Sequence, residues 1–122
     1  MNLFDASALL AYLNDEQGSD VVERELVAGG LVSAVNWSEV AQKVQSAGGD
    51  WPLARSLLMS FGLGVEPVLA VDGERAAGLW RRGSGLSLAD RICLATRERL
   101  QATAWTADTG WTPVAGVRQV RS

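Results

Sequence analysis

Residues 2–13 read Asn2-Leu3-Phe4-Asp5-Ala6-Ser7-Ala8-Leu9-Leu10-Ala11-Tyr12-Leu13. A short strand, Asn2-Leu3-Phe4, stops at an acid. Helical spacing then begins, with Leu9, Tyr12 and Leu13 on one side. The same alternation of short apolar runs and longer amphipathic stretches continues down the chain. It is the pattern of an α/β domain built on a parallel sheet.

Working outward, the spacing predicts a helix from about Ser19 to Ala28, with Val22 and Leu26 facing in, ended by Gly29-Gly30. Leu31 to Val35 reads as a second strand, and Asn36 opens a helix through about Ala47. Asp50 caps the next helix, whose expected buried stripe is Leu53, Leu57, Leu58 and Phe61. Val65 to Val71 reads as a strand, and Pro67 within it argues for a sheet edge. Asp72-Gly73 turns into a helix ending near Arg82, and Gly83-Ser84-Gly85 forms a connection. Ser87 caps a helix from Leu88 to about Leu100, apolar at Leu88, Ile92 and Ala95. Thr103 to Ala107 and Val117 to Val120 are the last strands. No repeat, low-complexity tract or linker interrupts residues 1–122, which read as a single domain.

The composition is that of an ordinary soluble globule, 48% hydrophobic and 20% charged, with a net charge of −3. There is no His. Imidazole is therefore excluded as ligand, base or pH switch, and Ser-His-Asp and Cys-His mechanisms are excluded with it. Cys93 is the single cysteine and sits between Ile92 and Leu94, the setting of a small buried hydrophobe. The first basic residue is Arg24, so no charged region opens a signal peptide. The longest uncharged run, Leu26 to Ser38, has 13 residues, short of the roughly 18 a spanning helix needs. The expectation is a cytoplasmic protein without membrane association.

Asp5, Glu39, Asp90 and Asp108 each fall where an apolar segment meets a turn or the first turn of a helix. Parallel strands joined by right-handed crossovers place all strand C-termini, and the helix N-termini that follow, along one edge. The four carboxylates should meet there. Such a cluster repels itself unless a hard cation with oxygen ligands holds it, and that is the chemistry of metal-dependent phosphodiester cleavage. Each acid also has a local use. Asn36-x-x-Glu39 and Ser87-x-x-Asp90 have the spacing of capping boxes. Asp108-Thr109-Gly110 has the composition of a turn, and Asp5 is placed to cap the helix after it.

At these residues the chain resembles PIN-domain ribonucleases, in particular VapC-type toxins of toxin–antitoxin pairs. The opening Met-Asn-Leu-Phe-Asp5-Ala-Ser is similar to theirs. So are Val-Asn-Trp-Ser-Glu39-Val, Leu-Ser-Leu-Ala-Asp90-Arg-Ile-Cys-Leu-Ala-Thr and Thr106-Ala-Asp108-Thr-Gly-Trp. Trp111 departs from the Phe or Leu more usual there. The match spans essentially the whole chain, in order. It implies a three-layer α/β fold, a five-stranded, mostly parallel sheet with helices on both faces. It implies Mg²⁺ or Mn²⁺ held by Asp5, Glu39, Asp90 and Asp108, and cleavage of RNA. It implies inhibition by a cognate VapB-type antitoxin, and a homodimer.

On this reading Asp5 is the central ligand, Asp90 and Asp108 complete the inner shell, and Glu39 ligates or orients the attacking water. Thr106 and Ser7 support the site by hydrogen bonds. Arg91, Arg81 and Arg82 are candidate substrate contacts. Without the four acids the net charge is +1, so nonspecific RNA binding is weak and recognition rests on shape or a short loop sequence, as in a tRNA or rRNA loop. A second reading keeps the fold as a catalytically weak binding module whose role is antitoxin association, with five Trp residues as anchors. Other Mg²⁺-binding α/β domains match poorly. A phosphoacceptor receiver needs a late lysine and the only lysine is Lys43, while Asp5-Ala6-Ser7 lacks the Asp-x-Asp of aspartate-nucleophile phosphatases.

Overall fold

The computed structural model describes residues 1–111 and 113–121. Its elements are β1 (Asn2–Phe4), α1 (Ala6–Leu13), α2 (Ser19–Ala28), β2 (Leu31–Ser33), α3 (Ala34–Ser46) and α4 (Trp51–Ser60). Then come β3 (Gly64–Glu66), α5 (Ala70–Gly78), α6 (Leu88–Leu100), β4 (Thr103–Thr106) and β5 (Val117–Gln119). The strands form one five-stranded sheet in the order β3-β2-β1-β4-β5. All four pairings are parallel.

Strand alternation divides the core into two layers. Leu3, Ala104 and the half-buried Leu31 and Val117 share one face and pack with Cys93 of α6. Phe4, Val32 and Trp105 share the other, against Ala8 and Leu9 of α1, Val22 and Leu26 of α2, Val40 of α3 and Leu58 of α4. Helices therefore cover both faces, as expected. β1 is central and buried on both sides, so its end is the fixed point of the domain.

Several boundaries differ from the sequence reading. β2 stops at Ser33, whose hydroxyl accepts the amide N–H of Asn36 at 3.2 Å and caps α3. Val35, read as strand, is helical, and Glu39 lies a turn deeper than expected. β3 is an edge strand as Pro67 suggested, but it ends at Glu66 and α5 begins at Ala70. Of the stripe expected on α4 only Leu58 is buried; Leu53 and Leu57 are exposed. Leu88 is exposed as well.

Asp72 is fully buried in the first turn of α5. Arg99 of α6 grips it with two bonds, Nε to Oδ1 at 2.9 Å and Nη2 to Oδ2 at 3.0 Å, and reaches Glu66 at 3.2 Å. The guanidinium thus ties β3, α5 and α6 together, and its bonds hold the Asp72 carboxyl below its usual range. A depressed carboxyl contributes stability above its ordinary titration range and loses it as pH falls through the folded value. Arg99→Gln is therefore expected to lower the urea midpoint at pH 7, with the difference from the parent shrinking below about pH 4. Denaturation curves at the two pH values test this; a difference that stays constant would mean the pair does not act through charge.

Candidate metal-binding site

Asp5 follows β1 at the centre of the sheet, and its amide N–H still donates to the Trp105 carbonyl at 3.1 Å. The side chain then turns to cap α1. Its Oδ1 accepts the Ala8 N–H at 2.8 Å and the Ser7 hydroxyl at 2.7 Å. Only 3% of the residue is exposed. Burial is the main reason its pKa is pushed up to about 6; hydroxyls of Thr106 and Ser7 and the Ala8 N–H pull the other way, and the charge of Asp90 adds to the rise.

Ser7 and Thr106 carry the site across the seam between the first and fourth strands. Their hydroxyls stand 3.1 Å apart. Ser7 Oγ accepts the Ala107 N–H at 2.9 Å, and Thr106 Oγ1 accepts the Asp108 N–H at 3.1 Å. Asp108 is thereby fixed one strand from Asp5. Its Oδ1 accepts the Gly110 N–H at 2.8 Å in the expected turn, and Gln119 donates to its carbonyl at 3.1 Å.

Asp90 and Glu39 arrive from helices. Asp90 forms the expected capping box: its Oδ2 accepts the Ser87 N–H at 3.0 Å while Ser87 Oγ accepts the Asp90 N–H at 3.1 Å. Glu39 does not cap α3. The buried Asn36 amide donates to its Oε1 at 2.8 Å and holds it in the second turn. Beneath them lies the buried Cys93. Its thiol is pushed well above the ordinary range by burial first, and then by the negative charges of Asp5, Asp90 and Glu39. Three of the four acids thus act on one thiol.

The donors suit a hard cation: carboxylate oxygens, no imidazole, and a thiol kept protonated. In their present rotamers, no group of three or more metal-ligating side chains among the described residues is arranged to hold an ion. Each acid instead keeps one oxygen in a local bond. The other oxygens of Glu39, Asp90 and Asp108 take no hydrogen bond among the described residues. A hollow of about 590 Å³ lies elsewhere, lined by Arg24, Trp105 and Arg118 between α2 and β5, and contains none of the four acids.

The three arginines read as substrate contacts have partners within the chain. Arg91, read as a phosphate contact, donates to the Ala76 carbonyl at 2.8 Å and fastens α6 to α5. Arg81 folds back on the carbonyls of Gly78 and Trp80. Arg82 lies 5.9 Å from the centre of the Trp80 ring. The sequence reading missed Asn36 as the residue that positions Glu39; its i, i+3 spacing was the available signal, read there as a cap.

Comparison with known proteins follows this geometry. The PIN domain family model matches residues 3–117. Among solved structures, the chain is similar to one in a toxin–antitoxin complex from Klebsiella pneumoniae, with a TM-score of 0.77, 22% identity and 98% of each chain covered. It is also similar to VapC20 of Mycobacterium tuberculosis, described as a sarcin–ricin loop cleaving toxin. There the TM-score is 0.72 at 16% identity, over 89% of this chain and 91% of that one. At these identities the likeness is one of fold. No curated protein matches in sequence.

Proposed function

Because the chain belongs to the PIN domain family, we propose that it is a Mg²⁺- or Mn²⁺-dependent endoribonuclease, a toxin of the VapC type restrained by a cognate VapB-type antitoxin. One observation carries this reading: the hydroxyls of Ser7 and Thr106, 3.1 Å apart, tie the buried Asp5 carboxyl that follows β1 to the Asp108 N–H just past β4, so that two of the acids stand side by side at the C-terminal ends of neighbouring parallel strands. Toxin function and an RNA loop as target draw support from what the two structural neighbours are described as doing. The proposal takes residues 1–122 as one domain acting in the cytoplasm as a homodimer. No helix among the described residues is long and apolar enough to cross a membrane.

Asp5, Glu39, Asp90 and Asp108 would hold the cation. When bound, it would acidify a water and offset charge developing at phosphorus and on the leaving oxygen. The protein's own work is positioning. Ser7 and Thr106 lock Asp5 to the end of β4, and Asn36 fixes Glu39 where it can ligate or orient the attacking water. In-line attack by that water breaks the bond from phosphorus to the 3′ oxygen and leaves a 5′-phosphate and a 3′-hydroxyl.

The test is cleavage of total RNA by the purified chain. EDTA is expected to stop it and Mn²⁺ to restore it. Asp90→Asn should abolish both cleavage and growth arrest on expression, because an Asn oxygen still caps α6 but carries no charge. EDTA-resistant cleavage, or full activity of Asp90→Asn, would overturn the proposal. A second reading, a weakly catalytic module for antitoxin binding, is favoured by one surface: an apolar groove of about 420 Å³ lined by Leu13, Val44, Leu53, Ala54 and Leu57. Tight antitoxin binding with no cleavage under any divalent metal would select it.

A further inference from the structure

Trp80 is 53% exposed, two residues past the end of α5. The last turn of α5 is pinned to the first turn of α6 by the bond from Arg91 to Ala76. Asp90 lies in that first turn of α6, so Trp80 stands at the same end of the molecule as the acids. The indole does not stand alone. Arg82 lies over it at 5.9 Å, and Arg81 bonds the Trp80 and Gly78 carbonyls at 2.8 and 3.0 Å, fixing the backbone that carries it. Among the described residues the arginines in ion pairs are Arg24, Arg99 and Arg121, so Arg81 and Arg82 keep their charges uncompensated. From Trp80 to Ala89 the sequence holds no acid.

A flat aromatic face beside free guanidinium groups matches a nucleobase and its phosphate. Bases within a duplex are stacked on each other and offer no face to such a ring; an unpaired base does. We propose that Trp80 and Arg82 form a stacking platform for an unpaired base of the RNA substrate, beside the phosphate to be cut. This rests on the nuclease reading above and adds to it the residues that would receive a base. The positive charges favour this occupant over an apolar protein segment.

The experiment separates binding from cleavage. In the full chain carrying Asp5→Asn, fluorescence anisotropy follows a short labelled single-stranded RNA and the same sequence as a duplex. Adding Trp80→Ala is expected to weaken single-strand binding by roughly ten- to hundredfold, Trp80→Phe to weaken it less, and neither to alter duplex binding. Arg82→Gln should lower the log–log salt slope for the single strand by about 0.7. The platform is overturned if Trp80→Ala binds the single strand like its parent, if it weakens both forms equally, or if the parent binds neither. It is also overturned if Trp80→Ala changes only the mass of the chain in solution, which would make the ring a protein contact. Cleavage by the unsubstituted chain with Mn²⁺ is scored separately. Its absence sinks the nuclease reading, whereas cleavage present with unaltered Trp80→Ala binding sinks only the platform.

Discussion

Replacing Asp5 by Asn is expected to lower RNA cleavage by more than roughly 100-fold and, without metal, to yield a chain more stable than its parent at neutral pH. The two effects have one cause. Asp5 is 3% exposed, and its carboxyl titrates near 6 against an ordinary value of 3.8. Well below pH 3.8 it is neutral in both folded and unfolded chains and costs nothing. Between 4 and 6 the unfolded chain ionises first, so folded stability falls as pH rises, and above 6 the loss is complete. Two units correspond to about 3 kcal/mol. Asn forgoes that loss and still caps α1, since Asn is as good a cap as Asp; weaker bonds from Ser7 and Ala8 offset part of the gain. Urea curves in EDTA at pH 4 and pH 7.5 decide the matter. The parent should lose stability across that interval relative to Asp5→Asn, by about 1–3 kcal/mol. Parallel behaviour would mean the buried charge is already compensated within the protein.

Gly30→Ala is the second large effect, expected to destabilise by about 1–3 kcal/mol and to depress cleavage further than that loss explains. Gly30 precedes β2. A Cβ there would meet Phe4 Cε2 at 2.7 Å and the Asn2 carbonyl oxygen at 2.9 Å. The ring is fully buried and the carbonyl belongs to the central strand, so neither can give way cheaply. Displacing Phe4 displaces Asp5 beside it. Gly29→Ala provides the contrast: its backbone, at φ +99 and ψ 157, lies in a region open essentially to glycine alone, but a Cβ meets nothing within 4 Å. It should cost about 1–3 kcal/mol through backbone strain alone and leave the rate of the folded fraction unchanged. Equal loss of activity in both variants would argue against transmission through Phe4.

The fold was legible where a residue with a capping side chain ends the preceding segment and opens a helix. Asp5 after β1 and Ser87 after the glycine-containing loop are such caps, and the acids Asp5 and Asp90 follow from the same pattern. The joint at β2 was misread because Ala34 and Val35 extend an apolar run. The Ser33 hydroxyl ends the strand there, and only its tertiary placement reveals that. Periodicity on α4 identified a face but not its cover: Leu58 meets the core, while Leu53 and Leu57 lie beyond it. Arg91 could not be assigned from sequence, because its partner is a backbone carbonyl fifteen residues away. That the charges of Asp5, Asp90 and Glu39 all act on the Cys93 thiol depends on how α3 and α6 pack against the sheet, which spacing alone does not give.

Ser7 and Thr106 face each other across the join of two neighbouring strands, yet 99 positions of sequence separate them. A ribosome making this chain therefore releases Asp5 long before Thr106 and Asp108. Until Thr103–Thr106 has left the exit tunnel, the central strand has an open flank and the carboxylates have no common edge. On the proposed function, a fragment ending before Thr103 would lack the seam that joins Asp5 to Asp108, so cleavage could begin only once β4 has been made.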